Sequence, residues 1–439
     1  MNLLAQLFFA VLLIIGFGFF TINVKKLIRN IKLGKPVDRA DNASARWNNM
    51  FMVALGQSKM VKRPLAAFLH IIVYVGFIII NIELLEIIID GLFGTHRIFA
   101  GLGLLYNILI GSFEILALLV LIAVVLFWMR RNVLKINRLS NPDLEGDPKK
   151  DANTILYFEM VLMTLFLVMN AADFWLQQAG VSHYIQAGSF PVSHFISPVF
   201  NGMDENAVHM IERACWWLHI IGILGFMNYL YYSKHLHILL AFPNTYYADL
   251  NVKGKLDNLE SVTNEVKLML DPNADPYAAP PADAVPSKFG ASDVHDLNWV
   301  QLLNAYTCTE CGRCTSSCPA NATGKKLSPR KIMMSTRDRL EEVGKNIDAN
   351  NGVFVPDNKS LLNDYITPEE LWACTSCNAC VEECPVNISP LSIIIDMRRY
   401  LVMEQSAAPQ SLNAMMTNIE NNAAPWQYNQ MDRLNWKSE

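Results

Sequence analysis

Five long apolar segments fill the first 240 residues and constrain the fold more than any other feature of the sequence. They lie near 3–22, 64–89, 102–129, 154–175 and 209–233. Each can cross the hydrocarbon core of a bilayer, which requires about 20 residues. Their apolar content explains why only 17% of the chain is charged, against about 25% in soluble domains. We therefore predict five membrane-spanning helices.

The first segment is not expected to be a cleaved signal peptide. No basic residue precedes it, its apolar run is too long, and no small-residue cleavage site follows. Lysine and arginine counts set the predicted orientation: ten lie in 23–63 and six in 130–153, against one in 90–101 and none in 175–208. By the positive-inside rule the N-terminus is outside and everything after residue 234 is cytoplasmic. We expect a bacterial-type cytoplasmic membrane.

Composition excludes other classes of protein. A net charge of −4 argues against a nucleic-acid binder, which would carry a basic surface. Eight of the nine cysteines follow residue 300, and the chain is too long for a small secreted disulfide scaffold. These observations favour a reducing compartment and metal-bound thiolates. Cys215 stands alone in the fifth span and is predicted to serve packing.

The eight remaining cysteines form two copies of the pattern C-x2-C-x2-C-x3-C-P, the strongest signal in the chain. The first copy is Cys308, Cys311, Cys314 and Cys318, and the second is Cys374, Cys377, Cys380 and Cys384. This spacing is typical of ligands to [4Fe–4S] clusters, and in two-cluster ferredoxins the fourth cysteine of each run binds the other cluster. We therefore assign Cys384 to the cluster of the first copy and Cys318 to that of the second. Zinc and disulfides are the alternatives, but zinc usually takes two CxxC pairs in one site.

Histidines within membrane spans are candidate functional groups, because ionisable side chains are costly there. His219 and His237 are 18 residues apart, so on one continuous helix they would share a face with a separation of about 27 Å. His70 near the cytoplasmic end of the second span would match the depth of His237. Two such imidazoles are suited to the axial positions of a b-type haem. The alternative is interfacial histidines bonded to headgroups or carbonyls.

The partner of His219 is less defined. The second span carries Ile79, Ile80 and Asn81 at that height, so the second haem is absent, has one protein ligand, or uses an outer histidine such as His96 or His209. His235 is a weaker candidate ligand because it would lie about 160° around the same helix. His183 and His194 are expected to be surface residues.

Acidic residues also fall within the spans. Glu83, Glu86 and Asp90 share a helix face near the outer side, and Glu114, Glu159 and Asp173 lie in other spans. A proton path to a quinone site near His219 is one interpretation. Hydrogen bonding between helices or snorkelling at the interface is the other.

The sequence divides into four predicted regions. Residues 1–240 form a cytochrome b-like membrane domain and 241–292 a Pro/Ala-rich cytoplasmic linker, with a short amphipathic helix over 254–270. Residues 293–404 form a dicluster domain and 405–439 a tail suited to docking a partner. Helices are expected over 328–343, from the capped start at Thr367, and over 391–403. The predicted fold class is an all-α bundle of five transmembrane helices plus a mainly α-helical, ferredoxin-like 4Fe-4S dicluster domain.

These motifs resemble a known family. The C-terminal half resembles the dicluster domain of heterodisulfide-reductase-like iron–sulfur proteins. The membrane half is similar to the cytochrome b (gamma) subunit of respiratory nitrate reductase, through Leu69-His70-Ile71, Leu218-His219-Ile220 and Leu236-His237-Ile238. That family binds two haems with histidines from two helices, whereas the second-span partner of the outer haem is missing here. The fused arrangement resembles membrane oxidoreductases that link electron-transferring flavoprotein, or a disulfide-type substrate, to quinone.

The tail from Met415 to Trp426 is similar to the segment that follows the dicluster domain in this family, where a cysteine-rich CCG module usually comes next. No Cys-Cys-Gly motif occurs in this sequence. The resemblance implies that a separate polypeptide with the CCG module binds near Trp426 and Trp436. An Asn-rich disordered end is the alternative.

The function predicted from the sequence is electron transfer between a cytoplasmic partner and membrane quinone. The partner is a CCG-domain subunit or electron-transferring flavoprotein, and the carriers are two [4Fe–4S] clusters and b-type haem. No nucleophile–base pair or phosphate-binding glycine loop stands out, so bond-making chemistry is assigned to the partner. The direction of electron flow is open. A redox sensor or scaffold without quinone turnover is the alternative from another class.

Overall fold

The computed structural model describes residues 3–272 and 288–438. Most of the predicted Pro/Ala-rich stretch, 273–287, lies outside the described residues. In the described part of the chain the regular elements are helices, and the only strand-like pairings are two isolated bridges, Lys35 with Asn298 and Leu362 with Ile366. The predicted all-α fold class is confirmed.

Nine α-helices occupy the part of the chain before the gap. They are α1 (Leu3–Ile31), α2 (Ala43–Met50), α3 (Pro64–Phe93), α4 (Leu104–Asn132), α5 (Asp147–Gln178), α6 (Ser193–Ile196), α7 (Glu205–Tyr229), α8 (His237–Tyr246) and α9 (Glu260–Leu270). A π-helix, Phe51–Leu55, follows α2. Short 3-10 helices cover Ile98–Leu102, Asn137–Leu139, Pro142–Leu144, Ser197–Phe200, Leu230–Tyr232 and Lys234–Leu236.

Five helices are long and apolar enough to cross a membrane: α1, α3, α4, α5 and α7 with its 3-10 extension to Tyr232. Each covers one of the five predicted spans to within two residues, and they mark the chain as a membrane protein. Helix α4 packs against α3 and α5, while α7 packs against α5 and α1. Close approach depends on glycine, as is common between membrane helices. A Cβ on Gly76 would fall 2.5 Å from the Val120 side chain, and one on Gly222 would fall 2.8 Å from Leu162.

Nine further α-helices follow the gap. They are α10 (Trp299–Thr307), α11 (Arg313–Ser316), α12 (Pro319–Ala322), α13 (Pro329–Ala349), α14 (Leu361–Asp364), α15 (Pro368–Trp372), α16 (Ala379–Glu383), α17 (Pro390–Met403) and α18 (Gln410–Asn422). Three 3-10 helices cover Val294–Asp296, Gln430–Asp432 and Asn435–Lys437. The predicted helices at 328–343, after Thr367 and at 391–403 correspond to α13, α15 and α17.

The same order of helix, cysteine loop and helix occurs twice in the cluster domain. A capping box at Asn298 starts α10 and another at Thr367 starts α15. A cysteine loop follows each helix, and a Ser-Pro pair then starts the next long helix, with the hydroxyl of Ser328 or Ser389 accepting a backbone N–H of the first turn. Such caps satisfy donors that a helix start leaves free.

The two halves share one apolar core. Leu27 of α1, Leu230 and Leu236 are buried together with Tyr306 and Val343 of the cluster domain. The predicted linker begins with packed residues: Asn244 is fully buried, accepts a hydrogen bond from Asn304 and donates one to the Val386 carbonyl. The cluster domain therefore packs against the membrane bundle through α8 and the end of α1.

Candidate electron-transfer site

The two cysteine loops have the same backbone conformation at matching positions. The second residue after the first cysteine has a positive φ in both loops, 55° at Glu310 and 57° at Ser376. The residue after the second cysteine does so too, with 73° at Gly312 and 59° at Asn378. Left-handed residues at these points turn the loop tightly. The repeated pattern of spacing is thus a repeated three-dimensional structure.

Both loops contribute thiols to a common region, and the crosswise assignment of Cys318 and Cys384 stays a prediction. A cavity is lined by Cys308, Cys311 and Cys314 of the first loop together with Cys384 and Cys380 of the second. Cys318 of the first loop lies near the second loop. Burial is the main cause that raises the pKa of Cys374 and Cys380, and the nearby Cys318 raises it further. The short helices α11 and α16 pack side by side and bring the loops together.

The donor set fits iron–sulfur clusters. The Ile388 N–H donates to the sulfur of Cys384 at 3.3 Å and the Ser376 N–H donates to that of Cys374 at 3.4 Å. Hydrogen bonds of this kind stabilise ligated thiolates and tune cluster potentials. Among the described residues, no three His, Cys, Asp or Glu side chains could hold a single metal ion together. A [4Fe–4S] cluster would bind one cysteine sulfur at each of its four irons, so its four ligands need not meet at one point.

Burial governs the chemistry of the free thiols. It raises the pKa of Cys308 to about 12 and that of Cys384 to about 11. At neutral pH these groups hold their protons until iron displaces them. Exposure differs among the eight: Cys308, Cys318, Cys380 and Cys384 are buried, Cys311, Cys314 and Cys374 are partly buried, and Cys377 is exposed.

Cations surround the first loop. Arg313, itself buried, donates to the Lys59 carbonyl at 3.2 Å, and Lys59 lies 3.4 Å from the Cys384 carbonyl. Glu310 is buried within the loop and is paired with Lys234 and with Arg337. Burial acts to raise the pKa of Glu310, but these two cations outweigh it and hold the pKa below its ordinary value. The loop is thus fixed to the membrane domain through charged contacts.

The fifth spanning helix does not run on to His237, contrary to the sequence prediction. α7 ends at Tyr229, a 3-10 turn follows, and Ser233 is extended with φ −118° and ψ 149° before α8 begins at His237. The argument that His219 and His237 share a face of one helix is therefore wrong. The same break invalidates the angular argument about His235.

The break nevertheless brings His237 beside His70. The two ring centroids are 6.5 Å apart and the rings are inclined by 39°. This spacing would leave room for one metal ion between the two rings, because metal–nitrogen bonds are about 2 Å long. His237 Nδ1 lies 3.1 Å from the Lys234 carbonyl, which leaves Nε2 available. His70 Nδ1 is buried and has no hydrogen-bond partner among the described residues. His70 and His237 are therefore the residues that would hold b-type haem if the chain binds it.

The remaining histidines are distributed differently. His219 is buried, with Nδ1 3.1 Å from the Leu162 carbonyl and its ring 5.8 Å from Phe166. His96 and His209 are engaged elsewhere: His96 lies 3.3 Å from Asp173, and His209 lies 2.8 Å from the Tyr184 hydroxyl. His235 packs beside His237 and lies 3.8 Å from Glu159. His183 and His194 are exposed.

The acidic residues of the spans fall into two groups. Glu114 accepts hydrogen bonds from the N–H groups of Val192 and Ser193, so it fixes a loop. Glu83, Glu86 and Asp90 instead line a cavity at the end of the bundle remote from the cysteines, with His96, Arg97, Asp173, Glu212, Arg213 and Trp216. One Glu83 oxygen is buried there without a hydrogen-bond partner among the described residues.

Sequence reasoning missed the residues that organise these sites. Arg97 is the single cation of its connection, and it bonds Asp173, Asn170 and Tyr106 in the remote cavity. Lys234 and Glu310 were overlooked as well. The available signals were the isolation of Arg97 between two apolar spans and the position of Glu310 between Cys308 and Cys311.

Fold and site together define a membrane-anchored protein with a 4Fe-4S dicluster domain. Residues 307–388 match the family described as the 4Fe-4S dicluster domain. The cysteine patterns, the paired loops and this match all concern the same segment.

Three curated relatives are similar to this chain. The "Probable iron-sulfur-binding oxidoreductase FadF" of Bacillus subtilis is 29% identical over 95% of this chain and 58% of its own length. The EtfAB:quinone oxidoreductase of Syntrophomonas wolfei is 25% identical over 92% of this chain and 55% of its own. One of the subunits of the dihydromethanophenazine:CoB–CoM heterodisulfide reductase of Methanosarcina mazei is 28% identical over 33% of this chain and 35% of its own.

The chain thus spans little more than half the length of the first two relatives. No solved structure matches it. The predicted resemblance to heterodisulfide-reductase-like membrane iron–sulfur oxidoreductases is confirmed, since these relatives are iron–sulfur oxidoreductases or their subunits. The likeness of the membrane half to the nitrate reductase gamma subunit stays a prediction.

Proposed function

We propose that this chain is a membrane-anchored electron-transfer subunit of a quinone-linked oxidoreductase. It would pass electrons between a cytoplasmic redox partner and membrane quinone through two [4Fe–4S] clusters and b-type haem. The observation that carries the proposal is the spatial order of its thiols and imidazoles. Cys377 is exposed, the first cysteine loop is paired with Lys234 of the membrane domain through Glu310, and the Lys234 carbonyl contacts His237, which lies beside His70.

The order suggests which cluster meets the partner. The second loop, with Cys374, Cys377 and Cys380, holds the exposed thiol and would form the entry or exit point. The first loop contacts the Lys59 carbonyl through Arg313 and the Lys234 ammonium through Glu310, and it would face the haem. When bound, the clusters and haem supply one-electron carriers. The residues around them exclude water, orient the ligands and provide hydrogen bonds that tune potential.

Quinone chemistry needs protons as well as electrons. A quinone takes up two electrons and two protons to become a quinol, and the reverse reaction releases both. The cavity lined by Glu83, Glu86 and His96 is also lined by Trp216, which precedes His219 by about one turn of α7. We assign the quinone head group to this cavity and proton exchange to Glu83, whose free oxygen is buried there. The name of the Syntrophomonas wolfei relative supports a quinone substrate.

The cytoplasmic partner is proposed to be electron-transferring flavoprotein or a CCG-domain subunit. The first is supported by the name of the same relative and the second by the heterodisulfide reductase relative. The tail after α17 offers exposed apolar side chains, namely Met431, Leu434, Trp426 and Trp436, which suit a docking segment. We place the cluster domain in the cytoplasm and the N-terminus outside, in a bacterial-type inner membrane, as the lysine and arginine counts indicate.

Purified protein in lipid nanodiscs provides the decisive test. Iron and haem are counted per polypeptide, and haem reduction is then followed after rapid mixing with a short-chain quinol analogue. We expect fast reduction, slowed about 100-fold in Glu83→Gln because a positioned proton acceptor contributes that order of magnitude. Glu205→Gln, exposed at the same end of the bundle, serves as the matched control.

Two outcomes would contradict the proposal. Protein without iron or haem would remove the electron path. Protein with both groups but no haem reduction by quinol would favour the alternative of a redox sensor or scaffold.

A further inference from the structure

Lys234 contacts both candidate redox sites at once. Its ammonium group pairs with Glu310 between Cys308 and Cys311, and it also donates to the Pro148 carbonyl at 2.7 Å. Its own carbonyl lies 3.1 Å from Nδ1 of His237. A single residue therefore touches the first cysteine loop with its side chain and the candidate axial histidine with its backbone.

The surroundings hold Lys234 in place. Its backbone N–H donates to Asp151 at 3.1 Å, and the other oxygen of Asp151 accepts from Tyr229 at 2.7 Å. The side chain is 9% exposed and that of Glu310 is 2% exposed. Lys234 lies where the backbone has left α7, and Glu310 lies where the cysteine loop turns through a positive φ. Separating Lys234 from Glu310 would remove a buried ion pair, so a displacement of one residue favours displacement of the other.

We propose that Lys234 is a positioning residue that couples the geometry of the first cysteine loop to the orientation of the His237 ring. The inference rests on the proposed function, since it requires a cluster at the loop and haem at His237. Its consequence is that a change in the loop is transmitted to the axial imidazole, and the reverse. Glu310 is the second member of this connection, and Arg337 of α13 anchors its other oxygen at 2.6 Å.

The test uses the full chain in nanodiscs and electron paramagnetic resonance of the haem and of the reduced clusters. Lys234→Met should shift the low-spin haem signal and the signal of one cluster together, and slow electron transfer between them about tenfold, the scale of a lost outer-shell contact. Lys234→Arg should restore both signals. Lys26→Met, which breaks the 2.8 Å pair with Asp348 between the same two domains, should change neither.

Glu310→Gln separates coupling from local structure and keeps the test decisive if Lys234→Met does not fold. Glu310 touches no histidine, so a shift of the haem signal in this variant supports transmission through Lys234. A shift confined to the cluster signal, or no shift in either, overturns the inference. Wild-type protein that lacks haem or clusters would instead contradict the proposed function, so the two failures are distinguishable.

Discussion

The ring centroids of His70 and His237 are 6.5 Å apart, although more than 160 residues separate the two histidines in the sequence. His70 lies in the second turn of α3 and His237 is the first residue of α8. Between the two helices the chain leaves the α-helical conformation after Tyr229 and passes through the extended residue Ser233.

His237→Ala and His70→Ala should each abolish the low-spin b-type haem signal, because each removes one axial nitrogen. A pyridine haemochrome assay with paramagnetic resonance measures this. His183→Ala, an exposed histidine, should keep wild-type haem content. An unchanged spectrum in both ligand variants would mean that the haem assignment is wrong. Loss of about half the haem in His219→Ala would indicate a second haem held by that residue.

The crosswise ligation makes a paired prediction. Cys384→Ser should perturb the same cluster as Cys314→Ser, while Cys318→Ser should perturb the same cluster as Cys380→Ser, since each fourth cysteine serves the other run. The resonance signals of the two reduced clusters report which is lost. Cys215→Ser, buried in the membrane bundle, should leave both clusters intact. If Cys318→Ser and Cys314→Ser perturbed the same cluster, the crosswise assignment would be wrong.

Iron retention should depend on pH. Burial raises the pKa of Cys308 to about 12 and of Cys384 to about 11, so protons compete with iron for these sulfurs below those values. Lower pH favours the protonated thiols and weakens binding; higher pH strengthens it. Iron released to a fixed chelator should therefore fall steadily from pH 6.5 to pH 8.5. Release independent of pH would contradict the buried-thiol description.

Gly312 should tolerate alanine poorly because two effects combine there. Its φ of 73° is strained for other residues, and a Cβ would fall 2.7 Å from the Arg330 guanidinium and 2.9 Å from the Arg138 carbonyl. Gly324 is a matched control, with φ 81° and no atom within 4 Å of the added Cβ. Gly324→Ala should cost about 1–2 kcal/mol of stability and keep full iron content.

Gly312→Ala should additionally lower the iron content through the first loop, as measured by iron per polypeptide. Equal iron contents in the two variants would show that crowding at Gly312 does not matter.

Arg339 of α13 provides a stability prediction away from the redox groups. Its fully buried side chain pairs with Asp293 at 2.8 Å and Asp357 at 2.6 Å. Arg339→Met should cost about 3–5 kcal/mol, because two carboxylates lose their buried partner. Thermal unfolding of the cluster domain measures the loss. Lys326→Met, which breaks an exposed pair with Glu369, should not change the transition, and a similar shift in both variants would contradict the argument.

The sequence alone determined the five spans, because a bilayer core imposes a length and a composition that can be counted along the chain. It also predicted the cysteine ligands and identified the helix starts at Ser328 and Thr367, since cluster spacing and capping are local properties. Only the tertiary structure decided how His237 reaches His70. Ser233 leaves the helical conformation within a segment whose composition still favours a helix, and packing against Asp151 and the cluster loop outweighs local preference. The roles of Lys234 and Glu310 depend on contacts between distant segments, which no spacing along the chain encodes.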